Sequence, residues 1–142
     1  MKIEKTRVWN EKKVVWTILK ETPTLDPLVL IKNSDLYTIK KEGEIVSFLT
    51  IKNVGKHIAL GTVYTFPDYR KKGFMKSLIK KVLRNRNEIY LICYSEKNSF
   101  YRKFGFVLQD KSPWSFRIKK FLGNIFIAPY SGKKLIVMKR SF

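Results

Sequence analysis

The chain has 142 residues, 44% of them hydrophobic, enough for one domain spanning 1–142 with a substantial core. Lys and Arg number 30 against 11 Asp and Glu, a net charge of +19, which draws a protein toward polyanions. No apolar run approaches the ~18 residues of a membrane span, and the single Cys93 excludes an internal disulfide and suits a reducing cytoplasm.

Met1 to Val8 reads as a first strand; its charged residues alternate with single apolar ones, unlike a signal peptide. Glu11 to Lys20 has helical periodicity, with Val14, Val15, Ile18 and Leu19 on one face and Asn10 as its cap. Thr22-Pro-Thr-Leu-Asp-Pro27 breaks that helix, and Leu28 to Lys32 fits strand or helix equally. Leu36 to Lys41 and Glu44 to Ile51 form a hairpin around Glu42-Gly43. Asn53-Val-Gly-Lys56 signals another turn, before a β-branched strand from Ile58 to Thr65. Pro67 stops this strand, since proline brings no N–H to a ladder.

From Gly73 the pattern changes to helical. Phe74, Met75, Leu78, Ile79, Val82 and Leu83 fall on one face, and Lys76, Ser77, Lys80, Lys81 and Arg84 on the other. Ile89 to Tyr94 is the next strand, parallel to the Ile58 strand through a right-handed crossover. Ser112 to Gly123 reads as a short basic helix or ordered loop. Ile125 to Ala128 and Leu135 to Lys139 read as closing strands around Pro129-Tyr-Ser-Gly132.

The chemistry concentrates at the strand–helix junction Arg70-Lys71-Lys72-Gly73. The first N–H groups of a helix lack partners within it and carry the positive end of its dipole. A glycine there lets a ligand approach the backbone, and three cations add attraction, a combination suited to a pyrophosphate. This junction resembles the acyl-CoA loop of the GNAT superfamily of N-acyltransferases, Arg/Gln-x-x-Gly-x-Gly/Ala before a helix. Arg70 and Gly73 match its first two fixed positions, while Met75 stands where Gly or Ala is usual. Phe100-Tyr-Arg-Lys-Phe-Gly-Phe106 resembles the family's second motif, Phe/Leu-Tyr-x-x-x-Gly-Phe. The preceding Leu91 to Asn98 is similar to the glucosamine-phosphate acetyltransferase branch. The resemblance covers roughly residues 36–109.

It implies an α/β fold. A mostly antiparallel sheet of six or seven strands would splay between its fourth and fifth strands, with helices on both faces. Acetyl-CoA would be the co-substrate, with no metal, in a cytoplasmic monomer or homodimer. The pyrophosphate would meet Arg70, Lys71, Lys72, Gly73, Phe74 and Met75. A backbone N–H within Val63, Tyr64 and Thr65 would bind the thioester carbonyl, an oxyanion-hole role. Tyr101 would protonate the departing thiolate. Asn98 would touch the pantetheine or cap the following helix.

His57, thirteen residues before Arg70, occupies the position of a glutamate base in the histone acetyltransferase branch. Imidazole titrates near neutrality, although a histidine at a strand start is often idle. Glu44, Glu96, Tyr64 and a water chain are the alternatives. Cys93 has no His or acid nearby in sequence and reads as strand filler, and no Cys/His cluster suggests zinc. Residues 111–124 read as an insertion near the acceptor site.

The acceptor amine is not legible. The acid-free run from Arg70 to Arg86 fits a solvated helix face or a nucleic-acid-linked substrate such as a charged tRNA. Two other functions compete: a GNAT fold without activity, for which Met75 argues, and a basic RNA-binding module. Arg102-Lys-Phe-Gly-Phe-Val107 partly resembles the RRM strand, but Lys103 replaces its first glycine.

Overall fold

The computed structural model describes residues 2–21, 34–54, 57–84, 86, 88–108 and 135–141. The strand expected at 125–128, the short helix or ordered loop at 112–123 and the ambiguous 28–32 lie outside these residues. The strands are β1 (Ile3–Arg7), β2 (Asp35–Lys41), β3 (Glu44–Val54), β4 (His57–Thr65), β5 (Glu88–Tyr94), β6 (Val107–Leu108) and β7 (Leu135–Ser141). The helices are α1 (Lys12–Lys20), α2 (Phe74–Leu83) and α3 (Asn98–Arg102). Among the described residues the strands form one sheet in the order β1-β2-β3-β4-β5-β7-β6. Every neighbouring pair is antiparallel except β4–β5.

Side-chain alternation divides the core into two. Tyr37, Ile39, Leu49, Ile51, Leu60, Ile89 and Leu91 face α2, α3 and Phe106. Leu36, Ile45 and Phe48 face α1, which buries Val14, Val15 and Ile18. Helices therefore cover both faces. The β2–β3 turn puts Glu42 at φ 53° and Gly43 at φ 80°, two left-handed residues as a tight hairpin requires.

Some local expectations give way. Asn10 does not cap α1: its amide donates to Thr6 Oγ1 at 3.0 Å, and Glu11 occupies the cap position without a side-chain bond. Leu19 is exposed, because Val14, Val15 and Ile18 already fill the buried stripe. Asn53 and Val54, read as the start of a turn, belong to the strand. β3 continues to Val54, which pairs with His57, and the sheet ladder overrides the local turn chemistry.

The β3–β4 ladder carries a defect that organises the centre of the molecule. Leu49 pairs with Val63 and Ile51 with Leu60, so Gly61 and Thr62 together oppose Thr50. This is a β-bulge. The Thr62 N–H, displaced from the ladder, donates to Thr50 Oγ1 at 2.7 Å, and the two hydroxyls lie 3.1 Å apart. Ile58 and Leu60 face the α2 side before the bulge; Val63 does so after it. The opposite phase sends Tyr64 and then Phe66 toward the α1 cluster.

Candidate active site

Beside the bulge, β4 and β5 lose contact. Their parallel register contains Ala59↔Tyr90 and Leu60↔Leu91 and then stops, although β4 continues to Thr65 and β5 to Tyr94. From Gly61 onward β4 pairs with β3 on one edge and with no strand of the described residues on the other. Val63, Tyr64 and Thr65 thus line a slot whose backbone edge can bond a ligand.

The slot leads to the loop. After Phe66, whose N–H donates to the Val46 carbonyl at 3.0 Å, Pro67–Tyr69 makes a single 3₁₀ turn. Arg70 folds back: its Nε donates to the Thr65 carbonyl at 2.8 Å and its guanidinium lies 5.4 Å from the Tyr64 ring centre. Lys71 has φ 64°, strained for a side-chain-bearing residue, and Gly73 has φ 82°. Gly73 is the N-cap of α2. It offers no side chain to the first N–H groups, and the first turn contains no acid. Helix starts usually have one or the other. Here the positive end faces outward beneath exposed Lys71 and Lys72. Phe74 and Met75 are half-buried and turn toward the core, with Phe74 6.4 Å from Tyr69 between ring centres.

Tyr101 lies in the same apolar cluster as Val63, Phe74 and Met75. It is buried, with Phe100 and Phe106 at 5.1 and 5.9 Å between ring centres. Burial pushes its phenol well above the ordinary value, and Cys93 adds to the rise. Tyr101 is therefore neutral and retains its proton throughout the physiological range. Half-buried Cys93 is a neighbour of this phenol on β5.

His57 stands apart from this cluster. His57 begins β4, about 13 Å along the strand from Gly61 at ordinary strand rise. Its Nδ1 is 3.4 Å from Glu88 Oε1, and its ring meets Tyr90 edge-on at 5.2 Å. Lys139 Nζ completes this group, 3.5 Å from Glu88 Oε2. The Tyr90 hydroxyl, then Lys139 and His57, hold the Glu88 carboxyl below its ordinary range against a partial desolvation. Burial, followed by Glu88, pushes the Tyr90 phenol up to about 12. Asn98 does not cap α3. Lys97 holds the cap position, and Asn98 Oδ1 accepts from Arg102 Nε at 3.2 Å.

Two features escape a reading of sequence. The Thr50–Thr62 pairing is one; Gly61 inside a strand was its only trace. The other is Lys52, 2% exposed on β3 opposite Ala59, whose amine is lowered to about 7 by burial.

The family model described as the acetyltransferase (GNAT) domain matches residues 32–108. The chain belongs to the GNAT acetyltransferase family. It is an acyl-CoA-dependent N-acyltransferase. An acyl-CoA N-acyltransferase from Pseudomonas aeruginosa superposes with a TM-score of 0.71 at 14% identity, covering 99% of both chains. The Rv2747 protein of Mycobacterium tuberculosis, solved with CoA and NLQ, gives 0.72 at 10% identity, covering 100% of this chain and 99% of that one. A Bacillus subtilis acetyltransferase in complex with CoA gives 0.68 at 16%, covering 99% of both. At such identities the likeness is one of fold. No curated protein matches the chain.

The GNAT fold removes the RRM reading. Arg102 ends α3, and Lys103 to Gly105 form a turn, so the basic-aromatic run is no stacking strand. Among the described residues, no group of three or more His, Cys, Asp and Glu is placed to hold a metal ion. No helix there is long and apolar enough to cross a membrane.

Proposed function

We propose that this GNAT protein transfers an acetyl group from acetyl-CoA to a primary amine by direct attack in a ternary complex. The observation carrying this reading is the slot between β4 and β5 opening onto the uncapped start of α2. The pyrophosphate meets the Arg70–Gly73 loop and the N–H groups of Phe74 and Met75. The pantetheine arm follows the open edge of Val63 to Thr65, within reach of Asn98. One N–H of that edge donates to the thioester oxygen as negative charge builds there. The amine forms the new C–N bond, the C–S bond breaks, and the sulfur takes a proton from Tyr101. A phenol well above its usual value yields that proton only to a thiolate sharing its apolar surroundings, which keeps the step coupled to bond cleavage.

His57 is the proposed acceptor of the amine proton. From the first residue of β4 it acts through water rather than by direct contact. The single cysteine fits a cytoplasmic enzyme, as monomer or homodimer.

Calorimetric titration with acetyl-CoA at moderate salt, beside Gly73→Trp, tests the loop. Micromolar binding lost in the variant is expected; absent or equal binding overturns the reading. Thiol release with a panel of amines then tests the chemistry. Tyr101→Phe should lower kcat by about 100-fold with acetyl-CoA affinity unchanged, the scale of general acid catalysis.

A further inference from the structure

Four cations near α1 and the β1–β3 side have acids beside them: Lys13 with Glu44, Lys40 with Glu4 and Glu11, and Lys5 and Arg7 with Asp35. On the outer face of α2, Lys76, Lys80, Lys81 and Arg84 have no ion-pair partner among the described residues. The chain supplies no acid from Tyr69 to Asn87. Lys76, Lys80 and Arg84 repeat at intervals of four, so like charges stack along a helix about 15 Å long.

The strip ends in a cavity. Between the C-terminal half of α2 and the β1–β2 edge lies a recess of about 360 Å³ lined by Ile3, Lys5, Tyr37, Lys81, Val82 and Arg86. Arg86 Nη2 donates to the Tyr37 hydroxyl at 3.1 Å, which fixes the guanidinium at the wall. Lys5 Nζ stands 5.8 Å from the Tyr37 ring centre. Three cations thus converge on one recess, with Asp35 at 3.8 Å from Lys5 as the adjoining acid. This recess adjoins the end of α2 opposite the Arg70–Gly73 loop.

We propose that the outer face of α2 and the Lys5–Lys81–Arg86 recess form a binding strip for the phosphodiester backbone of a nucleic acid, separate from the acyl-CoA slot. The spacing of charge along α2 suits successive phosphates, and the recess takes one phosphate with a fixed guanidinium. A membrane surface fits less well. Among the described residues the exposed large apolar side chains are Trp9, Trp16, Leu19, Val107 and Leu108, none of them on this face. Binding here does not depend on acetyl transfer.

The test is fluorescence anisotropy with a labelled RNA of about 20 nucleotides over a salt series. Four proteins are compared: wild type, the helix variant Lys76→Gln/Lys80→Gln/Arg84→Gln, the recess variant Lys5→Gln/Lys81→Gln/Arg86→Gln, and the control Lys2→Gln/Lys12→Gln/Lys20→Gln. Each phosphate contact removed should lower the slope of log K against log salt by about one, so each strip variant loses about 100-fold in affinity near physiological salt. The control should retain the wild-type slope. Unchanged acetyl-CoA titrations and cooperative melting curves establish that the variants are folded. Equal loss in the control, no loss in the strip variants, or displacement of the RNA by acetyl-CoA overturns the proposal. So does strip-dependent binding to anionic phosphatidylserine vesicles that exceeds the binding to RNA.

Discussion

Lys52 is the residue most at odds with its surroundings. It lies in a row across the sheet with Ala59, Tyr90 and Lys139, and burial lowers its amine from 10.5 to about 7. The folded state thus holds fewer protons than the unfolded state between those values, and stability rises with pH from about 7 toward 10.5. Lys52→Met should abolish that rise, so that stability no longer climbs between pH 7 and 9.5. Denaturant melts at pH 7 and 9.5 check this; parallel pH profiles for variant and wild type would refute it. Gly73 makes a different residue-scale prediction. A Cβ there meets nothing within 4 Å, so the φ of 82° alone sets the cost of Gly73→Ala. That cost is about 1 kcal/mol, or a fall of about 2–4 °C in Tm by calorimetry. At this scale the sequence was legible in local conformation, as at Gly73, which begins a helix as its pattern predicts. It was illegible for Lys52, because alternation along β3 does not reveal that its one lysine will be covered.

At the level of elements, the bulge is the feature to perturb. Thr50 accepts the N–H that Thr62 no longer offers to the ladder, and both residues are buried. Thr50→Val keeps the shape and leaves that donor unpaired. It should cost about 1–3 kcal/mol, the penalty of an orphaned buried donor, and raise KM for acetyl-CoA by disturbing Val63 to Thr65. Chemical denaturation and steady-state kinetics together distinguish this from a purely structural loss, in which KM would not move. The elements themselves were readable: the hairpin at Glu42-Gly43, the stop at Pro67 and the two faces of α2 each follow from a local signal. Caps were read poorly, at Asn10 and Asn98 alike. In both cases the side chain found a partner four residues away, and local hydrogen bonding competed with capping.

For the whole molecule, charge sets the behaviour. A net +19 repels itself within a chain of this size, and the like-charged ladder on α2 concentrates the effect. Raising salt from about 0.05 to about 0.5 M should therefore raise Tm, since a Debye length near 14 Å contracts to about 4 Å. A protein stabilised chiefly by its surface ion pairs would soften instead. The two-residue join of β4 and β5 also has a mechanical meaning. The sheet is really two panels, β1 to β4 and β5 to β6, stitched at one short seam and braced by α2. Opened backbone on either side of that seam is a missing strand, and an extended amide-bearing arm is shaped to replace it. On the proposed placement of acetyl-CoA, the cofactor is mortar as well as reagent, and amide exchange along Gly61 to Thr65 should slow most when it is bound.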